Sequence, residues 1–65
     1  MLYILYQSSV FDDVAKLIKQ SLIEQNLHPI ITNRVKPQSQ ESEDYYIIIG
    51  AHDLYDKLPP NYEVI

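Results

Sequence analysis

The sequence has no cysteine and no tryptophan, and only one glycine. Without cysteine no disulfide can staple the fold, and the Cys pairs that mark structural zinc sites are missing. Two histidines and scattered carboxylates do not replace them, so no metal or other cofactor is expected. A single glycine excludes a G-x-G-x-x-G turn or a P-loop around a phosphate. Basic residues are scarce as well: five against nine acids, for a net charge of −4. The basic stripe that would hold nucleic acid or an anionic membrane is therefore not expected. Met1–Tyr6 is apolar, but it lacks a basic flank and gives way to Gln7, Ser8 and Ser9. It is too short for a signal peptide or a membrane span. These absences point to a soluble, intracellular, cytoplasmic protein.

What is present is blocky rather than thin, unlike a disordered chain. Leu2–Tyr6 reads as a buried strand. Ser9–Gln25 reads as the one long helix, with Phe11, Val14, Ile18 and Leu22 recurring at spacings of three and four. Val10, Ala15 and Leu17 flank that stripe. Ser9 is the expected N-cap, with Asp12 three residues on as in a capping box. Asp12 and Asp13 suit the positive end of the helix dipole. Asn26 is the expected left-handed residue past the helix end, Leu27 packs back on Leu22, and Pro29 forbids continuation.

Ile30–Val35 is a shorter and more polar strand, suited to an edge. The polar run from Lys36 to Asp44 reads as a mobile loop in which Glu41–Asp44 can pair weakly with Arg34 and Lys36. Tyr45–Ile49 lacks alternation, as a strand buried on both faces does. Asp53, as N-cap, opens a short helix to Leu58, ended by Pro59 and Pro60, and Tyr62–Ile65 is a last strand. The chain is thus one domain over residues 1–65 with the order β-α-β-β-α-β. A right-handed crossover makes the first two strands parallel. The loop before the third strand is too long for a tight hairpin and long enough to recross the sheet. The expected fold is a mostly parallel four-stranded α/β sheet in the order 2-1-3-4, a truncated Rossmann-like half domain. The competing reading makes the second and third strands antiparallel.

A single long helix covers one face of such a sheet. Leu2, Ile4 and Tyr6 point to one side and Tyr3 and Leu5 to the other; Tyr45, Ile47 and Ile49 oppose Tyr46 and Ile48 in the same way. Leaving one apolar set in water forgoes about 1.5–3 kcal/mol per side chain. A domain this small has little stability to spare. A homodimer is expected to bury the uncovered face or to pair edge strands, with Tyr3, Leu5, Tyr46, Ile48, Tyr55 and Tyr62 at the interface. Another protein is a further candidate partner, and the chain's own C-terminal segment is the alternative cover.

In open parallel sheets ligands sit at the carboxyl ends of the strands, where the strand order reverses. Ser8 and Ser9 follow the first strand there, and Gly50 and His52 follow the third. A small sugar or phosphate ligand is the alternative function, with Ser8 and Ser9 as helix cap and turn on the structural reading. A Ser/His/Asp hydrolase is disfavoured. His52 and Asp53 are adjacent, so their side chains diverge, and no G-x-S-x-G elbow is present. His28 and His52 fall at opposite ends of the proposed sheet, which separates them as metal ligands. No catalytic residue is assigned.

Ile47-Ile48-Ile49-Gly50-Ala51-His52, followed by Leu58-Pro59-Pro60-Asn61-Tyr62, resembles the N-terminal Rossmann-like domain of two-domain glycosyltransferase-like proteins. The likeness covers about twenty residues and reaches the preceding β-α-β only in outline. It implies a parallel fold. In that architecture the nucleotide-sugar sits mainly on the second domain, so the resemblance implies an acceptor-side fold without a donor site. Such a module fits a large DNA virus or a mobile element. A non-catalytic, homodimeric assembly module is the expected function, and a residual sugar-transfer role belongs to the ligand-binding alternative.

Overall fold

A computed structural model describes residues 1–35, 43–50, 58–59 and 61–65. The elements are β1 (Leu2–Leu5), a 3₁₀ turn (Ser9–Phe11), α1 (Asp12–Glu24), β2 (Ile30–Thr32), β3 (Tyr45–Ile48) and β4 (Tyr62–Val64). The four strands form one sheet in the order β2-β1-β3-β4, and every neighbouring pair is parallel. This is the expected order; the antiparallel alternative for the second and third strands is not what forms. The expected short helix lies outside the described residues except for Leu58, and the polar loop except for its last two residues.

The register shows why β1 and β3 are central. Leu2 pairs with Tyr45 and Leu5 with Ile48, while Tyr3 and Leu5 also meet Ile30 and Thr32 on the other side. Beyond the strands the ladder continues with Tyr6 N–H donating to Thr32 O at 3.2 Å and Ile49 N–H to Leu5 O at 2.9 Å. A strand bonded on both sides leaves no backbone group for water, so it can carry uninterrupted apolar residues. Tyr3, Ile4, Leu5, Tyr46, Ile47, Ile48 and Ile49 are accordingly buried. The outer strands β2 and β4 hold mostly exposed residues.

Alternation splits the core in two. Ile4 and Ile49 pack with Ala15, and Tyr6, Phe11, Ile18 and Leu22 close around them. On the opposite face Tyr3, Leu5, Tyr46 and Ile48 cluster with Val35 against them. Tyr3 and Tyr46 are register partners, and their rings stack with centroids 4.8 Å apart and planes 17° from parallel. Four of the residues expected at an interface lie in this cluster. Tyr3 is 2 % exposed, and Leu5, Tyr46 and Ile48 are fully buried within the single chain. Of the other expected interface residues, Tyr62 is 37 % exposed and Tyr55 lies outside the described residues.

The helix also differs in detail from its sequence pattern. Its inner stripe is Phe11, Ala15, Ile18 and Leu22, with Ala15 the fully buried member. The small Ala15 lets the helix approach the sheet closely. Val14 is then turned to the flank it shares with Val10 and Leu17, and all three are exposed. The N-terminus shifts too. Ser8 rather than Ser9 is the cap: its hydroxyl accepts from Val10 N–H at 3.4 Å, opening the 3₁₀ turn before α1. The helix end is as expected. Asn26 adopts φ 65°, its N–H donates to Ile23 O, and Leu27 N–H donates to Leu22 O, both at 3.0 Å. These two bonds are the Schellman pattern that satisfies the last carbonyls.

Candidate functional site

The carboxyl edge of the sheet follows directly from parallel strands: the residues leaving β1, β2 and β3 all emerge there. Between the ends of β1 and β2 and the start of α1 lies an open cleft of about 340 Å³. Tyr6 and Gln7 come from the end of β1, Ser9 and Asp12 from the start of the helix, and Ile31, Thr32 and Asn33 from the end of β2.

Two hydrogen-bonded units shape it. The Tyr6 hydroxyl donates to Asp12 Oδ1 at 2.7 Å in a half-buried setting. That bond, with some burial and the nearby carboxylate charge, raises the Tyr6 phenol pKa above its ordinary value. Losing the proton would remove the donor and set two negative charges side by side. On the other wall Thr32 Oγ1 donates to Arg34 O at 3.1 Å and accepts from Arg34 N–H at 3.4 Å. This closes a tight side-chain turn that presents Asn33 at the rim.

The residues expected to hold a ligand are partly dispersed. Ser9 lines the cleft, whereas Ser8 is spent as the helix cap. Gly50 has a packing role. Its φ is +97°, and a β-carbon there would lie 2.8 Å from Cε2 of Phe11. The Phe11 ring therefore brings the 3₁₀ turn against the end of β3, as the strand order requires, but fills the space between them. His52 lies outside the described residues. Asp12, read from sequence as a capping-box residue, instead holds Tyr6.

Tyr6, Gln7, Asp12, Ile31, Thr32 and Asn33 were missed by sequence reasoning. The signal existed in the strand order, because the end of β1 borders β2 as well as β3. Thr32 ends β2 and Asn33 follows it, just as Ser8 and Ser9 follow β1.

Chemically, the cleft has one carboxylate, two carboxamides, the hydroxyls of Ser9 and Thr32 and the Tyr6 phenol, against the Tyr6 ring and Ile31. Among the described residues no lysine, arginine or histidine lines it. Among the described residues no three His, Asp or Glu side chains gather as a metal site, and no helix is long and apolar enough to cross a membrane. No family model, curated protein or solved structure matches the chain.

Proposed function

We propose that this chain is a non-catalytic assembly module that pairs with a second copy of itself along β4. The observation that carries this reading is the state of that strand. Tyr62, Glu63 and Val64 are all exposed, and Ile65 is 61 % exposed. Asn61 O accepts from Tyr46 N–H, and Ile65 N–H donates to Ile48 O at 2.9 Å. Residues 61, 63 and 65 thus turn their backbone groups to β3, and Tyr62 and Val64 turn theirs outward. An apolar edge with outward donors and acceptors is a template for another strand. Two copies related by a two-fold axis meet there through the same patch, which closes the assembly at a dimer. A small domain without disulfides gains stability from such a partner.

The reading places the module in the cytoplasm and derives it from the N-terminal domain of two-domain glycosyltransferase-like proteins. Support for that ancestry is the sequence likeness around Ile47–His52 and Leu58–Tyr62, joined to a fold in which β3 and β4 are parallel neighbours.

The test uses Val64→Pro. Proline removes an outward N–H and leaves the β3 bonds of Asn61 and Ile65 in place. Sedimentation velocity should show a dimer for the unaltered chain and a folded monomer for the variant. A monomer for the unaltered chain at micromolar concentration overturns the proposal.

A second reading, small-ligand binding, is favoured by one observation: the cleft at the ends of β1 and β2, lined by polar side chains from three segments.

A further inference from the structure

The helix region carries a second apolar stripe that the fold leaves uncovered. Successive residues of a helix stand about 100° apart around its axis. Val14 and Leu17 therefore fall to one side of the inner stripe of Ala15, Ile18 and Leu22, and Asp12 and Ile23 fall to the other. Asp12 lines the cleft beside β2, so its side of the helix faces β2. The side that holds Val10, Val14 and Leu17 faces β3 and β4. All three are exposed, Val10 and Leu17 to 75 % and 72 %.

The register sets what lies beside that flank. Glu63 pairs with Ile47, and Ile47 pairs with Ile4, which packs against Ala15 of the helix. Partners across a parallel ladder point to the same face, and neighbours along a strand alternate. Glu63 and Ile65 therefore stand on the helix side of β4. The helix packs over Ile4 and Ile49, whereas every residue of β4 is exposed. The flank of α1 and the helix side of β4 thus form a ledge, with Val10, Val14 and Leu17 as its wall and Glu63 and Ile65 on its floor.

We infer that the second copy that pairs along β4 also closes over this ledge, so that Val10, Val14, Leu17 and Ile65 of both copies line one apolar groove across the two-fold axis. The inference rests on the β4 reading and extends its interface from a strand to a helix flank. Area favours it. Two paired three-residue strands bury about half of the roughly 1,000 Å² that a specific interface needs. At their exposures Val10, Val14 and Leu17 add on the order of 300 Å² per copy, which brings the pair to that threshold. An exposed apolar patch of this kind on a small protein marks an interaction site. Spacing favours it too. With strands about 4.8 Å apart, the helices of two copies joined at β4 stand about 20 Å from each other. Each helix reaches about 5 Å from its axis, and the Glu63 and Ile65 side chains of both β4 strands fill the space between. Asp13 and Glu24 are exposed beside the flank and Glu63 lies on the floor, so acids of the two copies approach one another and salt should tighten the pair.

Sedimentation equilibrium of the full chain, its Leu17→Ala and Leu17→Glu variants and Ile23→Glu tests this, with circular dichroism to check the fold of each. Leu17→Ala keeps a strong helix former at an exposed position and should weaken the dimer about tenfold, since each copy loses the contact. Leu17→Glu should weaken it further, and Ile23→Glu, on the flank that faces β2, should leave it unchanged. Raising the salt should tighten the unaltered dimer. Undiminished dimerisation of the folded Leu17 variants overturns the inference and leaves pairing along β4 standing. Equal weakening by Ile23→Glu overturns it as well, because the effect would not belong to this flank, and so does a dimer that salt loosens. A monomeric unaltered chain overturns both readings.

Discussion

The ring of Phe11 occupies the space that a β-carbon on Gly50 would need, at 2.8 Å from Cε2. The glycine sits at φ +97°, where L side chains are strained even in open space. The start of the helix and the end of β3 are thus fitted to each other through one missing side chain. Gly50→Ala should destabilise the protein by about 1–3 kcal/mol, read as a lower urea midpoint. Phe11→Leu in the same chain should recover part of the loss by clearing the collision, leaving the backbone strain. A strictly additive double variant would contradict this coupling.

Tyr46 lies at the bottom of the second face, stacked on Tyr3 and fully buried. Its removal therefore acts on folding and not on self-association. Tyr46→Ala should cost about 3–5 kcal/mol, enough to unfold much of so small a chain at ambient temperature. Tyr46→Phe keeps the ring and should remain folded, with the oligomeric state of the unaltered chain. Circular dichroism combined with sedimentation checks both. A folded Tyr46→Ala monomer would show that these tyrosines face a partner after all.

The Tyr6–Asp12 bond makes stability depend on alkaline pH. The folded-state phenol pKa is raised above its ordinary value, chiefly because the hydroxyl donates to Asp12. A group with a raised folded pKa stabilises the fold below its unfolded pKa and loses that contribution as pH climbs through the folded one. The thermal midpoint of the unaltered chain should accordingly fall more steeply than that of Tyr6→Phe as pH rises above the ordinary phenol pKa of about 10. Parallel curves for the two chains would remove Tyr6 from the explanation.

Much of the fold was legible because several local signals agreed. Asn26, Leu27 and Pro29 announced the helix end through three separate constraints, and Asn26 takes the expected left-handed turn with both Schellman bonds formed. The unalternating Tyr45–Ile49 run announced a central strand, and burial of residues 46 to 49 follows. The inner stripe of the helix was less clear, since Val14 and Ala15 both fit the period. The sheet selects Ala15 on closeness of approach, a tertiary fact. The cleft was hidden for a similar reason. Tyr6 and Asp12 are six residues apart, and nothing local joins them until β2 stands beside β1 and supplies the opposite wall.

Each neighbouring pair in the sheet is parallel, so no two adjacent strands are joined by a hairpin. Every strand pair waits for a distant part of the chain to return, and the β1–β3 ladder joins Leu2 to Tyr45. The entropy of closing such loops falls due before any pairing rewards it. Folding should therefore be slow for a chain of this length. Removing β1 from the N-terminal end should abolish the sheet as a unit, not trim it, because β1 is the shared neighbour of β2 and β3.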